Sequence, residues 1–324
     1  MKNQQGILCV SLDTELIWGM HDSPNCQAYM DNILNGRNQA ISRMLEMFGT
    51  YGIHATWAAV GFLIADSRQA LQPHLPPREL QPGYDDPIHS SYRLLDRIGV
   101  DPDEDQRYLC TELLDRIRQT PGQFIGSHTF SHYYCTEPGQ TKAQFEADMK
   151  GAVSIAARTG DTLRSVVFPK NQVQKDYLPV CKSLGFTIYR GIEENWIYDR
   201  TKGMLLKLLR FADTYIPLSG NNIYLPERVG GILNIRGSRF LRPWHPRLRL
   251  LEGLKLRRIK GQMRAAAKEG KIFHLWWHPH NFGANMEENF ENLRKILEYY
   301  LELKERYGFT SLSMEEIAQL YGEE

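Results

Sequence analysis

The chain is poor in cysteine, has no excess of either charge, and carries no long hydrophobic run. Five cysteines, Cys9, Cys26, Cys110, Cys135 and Cys181, are odd in number and scattered through 324 residues. None of them pairs at metal-ligand spacing, so a disulfide framework is not expected and a reducing compartment is the expectation. Lys plus Arg number 39 against 38 Asp plus Glu, a net charge of +1. That balance argues against a nucleic-acid partner. No window approaches the length needed to span a bilayer. The first apolar run, Ile7-Leu8-Cys9-Val10, is too short for a signal-peptide core, and carboxylates follow it at once. A cytoplasmic location is the expectation. Internal repeats and low-complexity tracts are also missing, which leaves no repeat architecture to consider.

What is there is ordinary in bulk and patterned in detail. The hydrophobic share is 42% and the charged share 24%, as in soluble globular proteins. The length suits one barrel with insertions or two domains. Residues 7–12 read as a buried parallel strand that ends in Asp13-Thr14-Glu15. Residues 38–51 carry Ile41, Met44, Leu45 and Phe48 on one helical stripe, closed by Gly52, and residues 53–58 form the second strand. Residues 66–104 hold six prolines and read as an irregular insertion of the kind that often serves as a lid. A helix is expected over 105–119, a third strand over 123–127, a helix over 142–158, and strands over 163–168 and 186–190 with a helix over 174–183 between them. Residues 271–277 form another apolar strand. A helix over 289–307, a short strand over 309–312 and a final helix capped by Ser313 and Glu316 complete the chain.

Chemistry-bearing residues gather where strands end. Asp13 and Glu15 lie two apart on an extended chain and point to one side. Gly126-Ser127-His128-Thr129-Phe130-Ser131-His132 places two imidazoles four apart, a spacing that on one helical turn presents both to one metal ion. Pro169-Lys170-Asn171-Gln172 follows the fourth strand, Arg190 ends the fifth, and Glu193, Glu194 and Trp196 follow it. His278-Pro279-His280 follows Trp276-Trp277. Alternating strands and helices with active groups only at strand C-termini describe a parallel α/β barrel seen from its top face.

Ser11-Leu12-Asp13-Thr14-Glu15, Ser127-His128-Thr129-Phe130-Ser131-His132, Phe168-Pro169 and Leu275-Trp276-Trp277-His278-Pro279 resemble, in order, the successive motifs of the polysaccharide deacetylases, the nodulation-deacetylase-like carbohydrate esterases of family 4. The resemblance spans roughly residues 7 to 312. It implies a distorted (β/α)7 TIM-like barrel filling residues 1–324 as one domain, with the Pro-rich insertion after the second strand. It implies a divalent metal, zinc in the first instance, and hydrolysis of an N-acetyl group from a sugar. The metal would be held by His128 and His132 together with Asp13; Asp13 would serve as general base and His278 as general acid. Pro169, Lys170, Asn171, Arg190 and Trp196 are candidate substrate-binding residues.

Two positions depart from the family pattern. Thr14 stands where a second aspartate is usual, which leaves open whether Asp13 is ligand with Glu15 helping as base, or Glu15 is the ligand. Val167 and Phe168 precede Pro169, so the usual arginine is missing there, and Lys170, Asn171 or Arg190 are its candidate replacements. The expected substrate is an N-acetylated sugar in a nucleotide- or lipid-linked precursor of a surface polysaccharide. Residues 236–271 hold twelve Lys or Arg against Glu252 and Glu269, a basic block suited to an anionic part of the substrate or to peripheral membrane contact. The rival readings are a metal-free amidase and a catalytically degenerate carbohydrate-binding barrel.

Overall fold

The computed structural model describes residues 5–197 and 203–322. Ten strands form one sheet: β1 (Ile7–Thr14), β2 (Ala55–Ala59), β3 (Gln123–Ser127), β4 (Ser165–Val167), β5 (Ile188–Gly191), β6 (Glu227–Val229), β7 (Ile232–Arg236), β8 (Arg239–Phe240), β9 (Ile272–Trp277) and β10 (Thr310–Ser311). Their order is β6-β7-β5-β4-β3-β2-β1-β9-β8, with β10 also on β1. All pairings are parallel except β6 with β7.

The sheet curls until one stretch of chain bridges its ends. β7 is hydrogen-bonded to β5, and three residues later β8 is hydrogen-bonded to β9. At the crossover Gly237 N–H donates to Gly191 O and Ser238 N–H donates to the His274 carbonyl. With β7 and β8 counted as one broken strand, the ring is β1-β2-β3-β4-β5-β7/β8-β9, the distorted (β/α)7 barrel that was expected. β1 is buried at every position because helices cover the outside while side chains fill the lumen.

Local sequence explains most boundaries. The helix Ile41–Tyr51 buries the expected stripe, and Gly52 at φ 63° ends it. The helix Lys142–Arg158 starts at a capping box between Thr141 and Gln144. The last helix has the expected one: Glu316 N–H donates to Ser313 Oγ and Ser313 N–H to Glu316 Oε2.

Two expectations need correcting. The helix read over 105–119 is broken. Helical turns end at Asp105 and resume at Thr111–Gln119, because Cys110 N–H donates to the Leu63 carbonyl and Thr111 Oγ1 to the Ile64 and Ala65 carbonyls. His128 and His132 do not share a helical turn either. Residues 128–132 form no helix, and Thr129 and His132 both have left-handed φ, 62° and 59°. Side chains take the amides a helix would use. Phe130 N–H donates to Asp148 Oδ2, Ser131 N–H to Asp148 Oδ1, Thr129 N–H to Ser127 Oγ and Tyr133 N–H to Thr129 Oγ1.

The Pro-rich stretch between β2 and β3 runs through short 3-10 turns. It packs against the histidine loop from outside: Ser91 Oγ donates to the Ser131 carbonyl and Tyr134 N–H to Tyr84 Oη. Tyr84 is spent in this packing and Trp277 lies in the core. No helix among the described residues is long and apolar enough to cross a membrane.

Candidate active site

The C-terminal ends of β1, β3, β4, β8 and β9 surround a cavity of about 440 Å³. Asp13, Glu15, His132, Lys170, Asn171, Phe240, Trp276, His278 and His280 all line it.

Asp13 is buried, and its two oxygens receive Arg190 Nη1 and Nη2, both at 2.7 Å. Arg190 Nη1 also donates to Ser11 Oγ at 3.0 Å, Nη2 donates to Asn171 Oδ1 at 3.2 Å, and the guanidinium lies 4.2 Å over the Trp276 ring. Burial alone would raise the Asp13 carboxyl. The Arg190 charge and its hydrogen bonds, with His128 and His278 nearby, outweigh it and hold the group below the usual carboxylate range. Arg190 therefore sits beneath Asp13 and does not face the cavity. Of the three candidates for the missing arginine, Lys170, Asn171 and Arg190, Arg190 is the one hydrogen-bonded to Asp13.

Glu15 is the carboxylate that meets the histidine pair. Its Oε2 lies 3.2 Å from His128 Nε2 and 3.0 Å from His132 Nε2. The chain leaves the strand there: Glu15 has ψ −21° and Leu16 a φ of 47°. A Cβ on Gly19 would overlap the Glu15 carboxylate and displace it from this position. Burial opposes ionisation of Glu15, but His278, His128 and His132 hold it well below the usual range.

His128 Nδ1–H donates to the Val167 carbonyl at 2.9 Å. In the neutral ring that fixes the proton on Nδ1 and leaves a lone pair on Nε2, aimed at a carboxylate oxygen that also only accepts. Two facing acceptors repel unless a cation lies between them. Burial pushes His132 down to about 4, and its Nδ1 has no hydrogen-bond partner among the described residues. Glu15, His128 and His132 offer ligand atoms within 4.8 Å of one another. One carboxylate and two imidazoles fit a divalent metal such as zinc. Glu15, His278 and His280 form a second such group on the opposite side of Glu15.

His278 follows β9 and is a quarter exposed, with Nε2 3.4 Å from Glu15 Oε1 and 3.7 Å from Asp13 Oδ2. Its orientation comes from residues the sequence reading missed. Tyr29 Oη–H donates to Asn281 Oδ1 at 2.7 Å, which turns the Asn281 amide nitrogen toward His278 Nδ1 at 3.2 Å. Nδ1 is thus the acceptor, and the ring proton sits on Nε2, facing the carboxylates. Tyr29 lies in a short turn with no motif to mark it. Asp148 was also missed, although it shares a helical face with Phe145 and Ala152, where a buried acid is a legible anomaly.

The other candidates are dispersed. Pro169 is buried and starts a turn in which Lys170 and Asn171 have φ of 52° and 54°. Lys170 pairs with Asp22 at 2.5 Å at the mouth and lies over the Tyr134 ring. Trp196 is outside the lining of this cavity and donates Nε1–H to the Leu218 carbonyl. Part of the basic block is paired within the fold. Arg236 pairs with Glu194 and Glu227, Arg239 and Arg258 with Asp213, and Lys255 with Glu252.

The sequence profile described as Polysaccharide deacetylase matches residues 30–189, a stretch that contains the histidine loop and ends at β5. No curated protein sequence gives a significant match. Among solved structures, a protein of Mycobacterium smegmatis described as a polysaccharide deacetylase superposes with a TM-score of 0.62 at 11% identity, covering 99% of this chain and 91% of that one. A similarly described protein of Pseudomonas aeruginosa PAO1 gives 0.57 at 12% identity, over 98% and 91%. A GH57-type branching enzyme of Pyrococcus horikoshii gives 0.57 at 11%, over 98% and 71%, a likeness of fold. With the barrel and the motif residues gathered at one end of it, residues 30–189 of the chain match the polysaccharide deacetylase family, whose members are carbohydrate esterases acting as amide hydrolases.

Proposed function

We propose that the protein is a divalent-metal-dependent N-deacetylase, with zinc as the natural metal, acting in the cytoplasm on an N-acetylated sugar in a surface-polysaccharide precursor. The observation that carries the metal reading is the convergence of His128 Nε2 and His132 Nε2 on one carboxylate oxygen, Glu15 Oε2, at 3.2 and 3.0 Å. The five free thiols suit a reducing compartment.

In this reading Glu15, His128 and His132 are the metal ligands. A metal bound there would polarise the amide carbonyl and acidify a water. Asp13 accepts the proton of the attacking water. Arg190 keeps that carboxylate ionised and fixes its direction with two parallel hydrogen bonds. A doubly protonated His278 would donate its Nε2 proton to the departing amine and return to the neutral ring, and the Asn281 amide beside Nδ1 holds the ring in place. Each such proton transfer typically contributes ~10²–10⁴-fold. Lys170 and Asn171 line the mouth where sugar hydroxyls would lie.

The test is acetate release from an N-acetylhexosamine by protein stripped of metal with a chelator and then reloaded with zinc. Activity that appears only on reloading supports the reading. Equal activity in the stripped protein would favour a metal-free amidase, and sugar binding without acetate release would favour a binding barrel.

A further inference from the structure

A second cavity, of about 250 Å³, adjoins the first, with Lys207, Arg210, Arg239 and Arg242 facing Glu193 and Asp213. Its cations outnumber its anions. Asp213 is shared: Oδ2 accepts from Arg239 Nη1 at 2.8 Å and Oδ1 from Arg258 Nη2 at 3.2 Å. Glu193 has amide partners, Asn195 and Asn222, and burial pushes its carboxyl up to about 7, so it carries only part of a charge at neutral pH.

Arg239 and Arg242 also have donors to spare. Arg239 is 5% exposed. Its Nε donates to Gln262 Oε1 and its Nη1 to Asp213, while the buried Nη2 has no partner among the described residues. Arg242 lies 5.2 Å from the Phe211 ring, and its buried Nε is also unpartnered. Buried N–H groups left without acceptors are costly. An oxyanion with several equivalent oxygens satisfies such forks better than water does.

Phe240 lines both cavities and connects this one to the chemistry. Its ring centroid is 4.8 Å from Trp276 and 5.6 Å from His278. A ligand reaching from one cavity to the other holds its anionic group about one ring away from His278. In a 2-acetamido sugar 1-phosphate the amide nitrogen and the phosphoester oxygen sit on adjacent ring carbons, which suits adjoining cavities.

We propose that the cavity between Arg239 and Arg242 is an anion subsite that takes a phosphoryl group esterified to the sugar being deacetylated. The sugar part of this statement rests on the function proposed above; the anion subsite does not. A nucleoside and a lipid carrier share this phosphoryl chemistry. Met204, Leu205 and Leu208, which are 79%, 59% and 59% exposed, flank Lys207 on the same helix and offer a surface to a lipid.

Two measurements on the zinc-loaded full chain test it. Calorimetric titration with inorganic pyrophosphate should show one site in the wild type, weakened at least tenfold in Arg242→Gln and in Lys207→Gln. Arg239→Lys keeps a cation on Asp213 while removing Nη2, and should weaken binding with little change in melting temperature. In kinetics, N-acetylglucosamine 1-phosphate should exceed methyl N-acetylglucosaminide in kcat/KM by at least tenfold. Arg242→Gln should erase that advantage through KM and leave the neutral sugar unchanged. A uridine-diphosphate sugar and a short polyprenyl-diphosphate sugar in detergent then identify the carrier by which is turned over better. No pyrophosphate site in the wild type, or equal kcat/KM for charged and neutral sugars, overturns the proposal. Pyrophosphate binding that depends on Arg242, without acetate release from any sugar, would keep the subsite and overturn the deacetylase reading.

Discussion

Arg190 on β5 reaches across the barrel lumen to clamp both oxygens of Asp13 on β1, at 2.7 Å each. Three strands separate β5 from β1 in the sheet, so the pair spans the barrel and does not join neighbours. Removing Arg190 would leave a buried, unpaired carboxylate, a loss of about 3–5 kcal/mol. Arg190→Gln is therefore expected to lower the melting temperature substantially. The folded Asp13 carboxyl lies below its ordinary 3.8, so the pair stabilises the fold above that pH and the gain disappears as pH falls through the lowered value. The same shift sets activity. With a base that must be ionised, the acid limb of kcat/KM should move to higher pH in Arg190→Gln. A pH–rate profile with an unmoved acid limb would contradict the role given to this pair.

The metal assignment predicts stoichiometry. Wild type should hold one divalent ion per chain by elemental analysis, and His128→Ala should hold none. Glu15→Gln should lose much of its affinity because the anionic ligand is gone. Asp13→Asn should keep its metal and lose turnover, since Asp13 faces Arg190. Metal retained in full by His128→Ala would end this assignment.

His278 should separate chemistry from metal binding. His278→Ala is expected to retain the ion and lose ~10²–10⁴-fold in kcat. Asn281→Leu removes the contact at Nδ1 that orients the ring, so a smaller loss in kcat is expected with KM little changed. If His278→Ala loses its metal along with activity, His278 is a ligand and not the acid.

Asp148 should matter as much as a ligand while never touching the cavity. It holds the amides of Phe130 and Ser131 and the Ser131 hydroxyl. Asp148→Ala leaves buried donors unpaired, each costing about 1–3 kcal/mol. It should lower both the melting temperature and the metal affinity. Normal zinc affinity in a folded Asp148→Ala protein would show that the histidine loop keeps its shape unaided.

The alternation of apolar runs with amphipathic stretches gave the barrel, because helical and strand periodicities are local and each element's buried face is written in its own residues. The stripe Ile41, Met44, Leu45 and Phe48 and the strand Gln123–Ser127 were readable for that reason. So were the positions of Asp13, Glu15, His128, His132 and His278, which lie at or shortly after strand ends. What each of those residues faces was not local. That Glu15 lies against the imidazoles while Asp13 lies against Arg190 depends on how β1, β3 and β5 close around one lumen. The histidine spacing pointed to a helical turn, yet Asp148, sixteen residues beyond His132, captures the amides and bends the loop otherwise. Tyr29 and Asn281 are separated by 252 positions and meet at 2.7 Å. Hydrogen bonds and ion pairs between distant strands are decided by tertiary closure, since only closure brings their donors and acceptors within reach of one another.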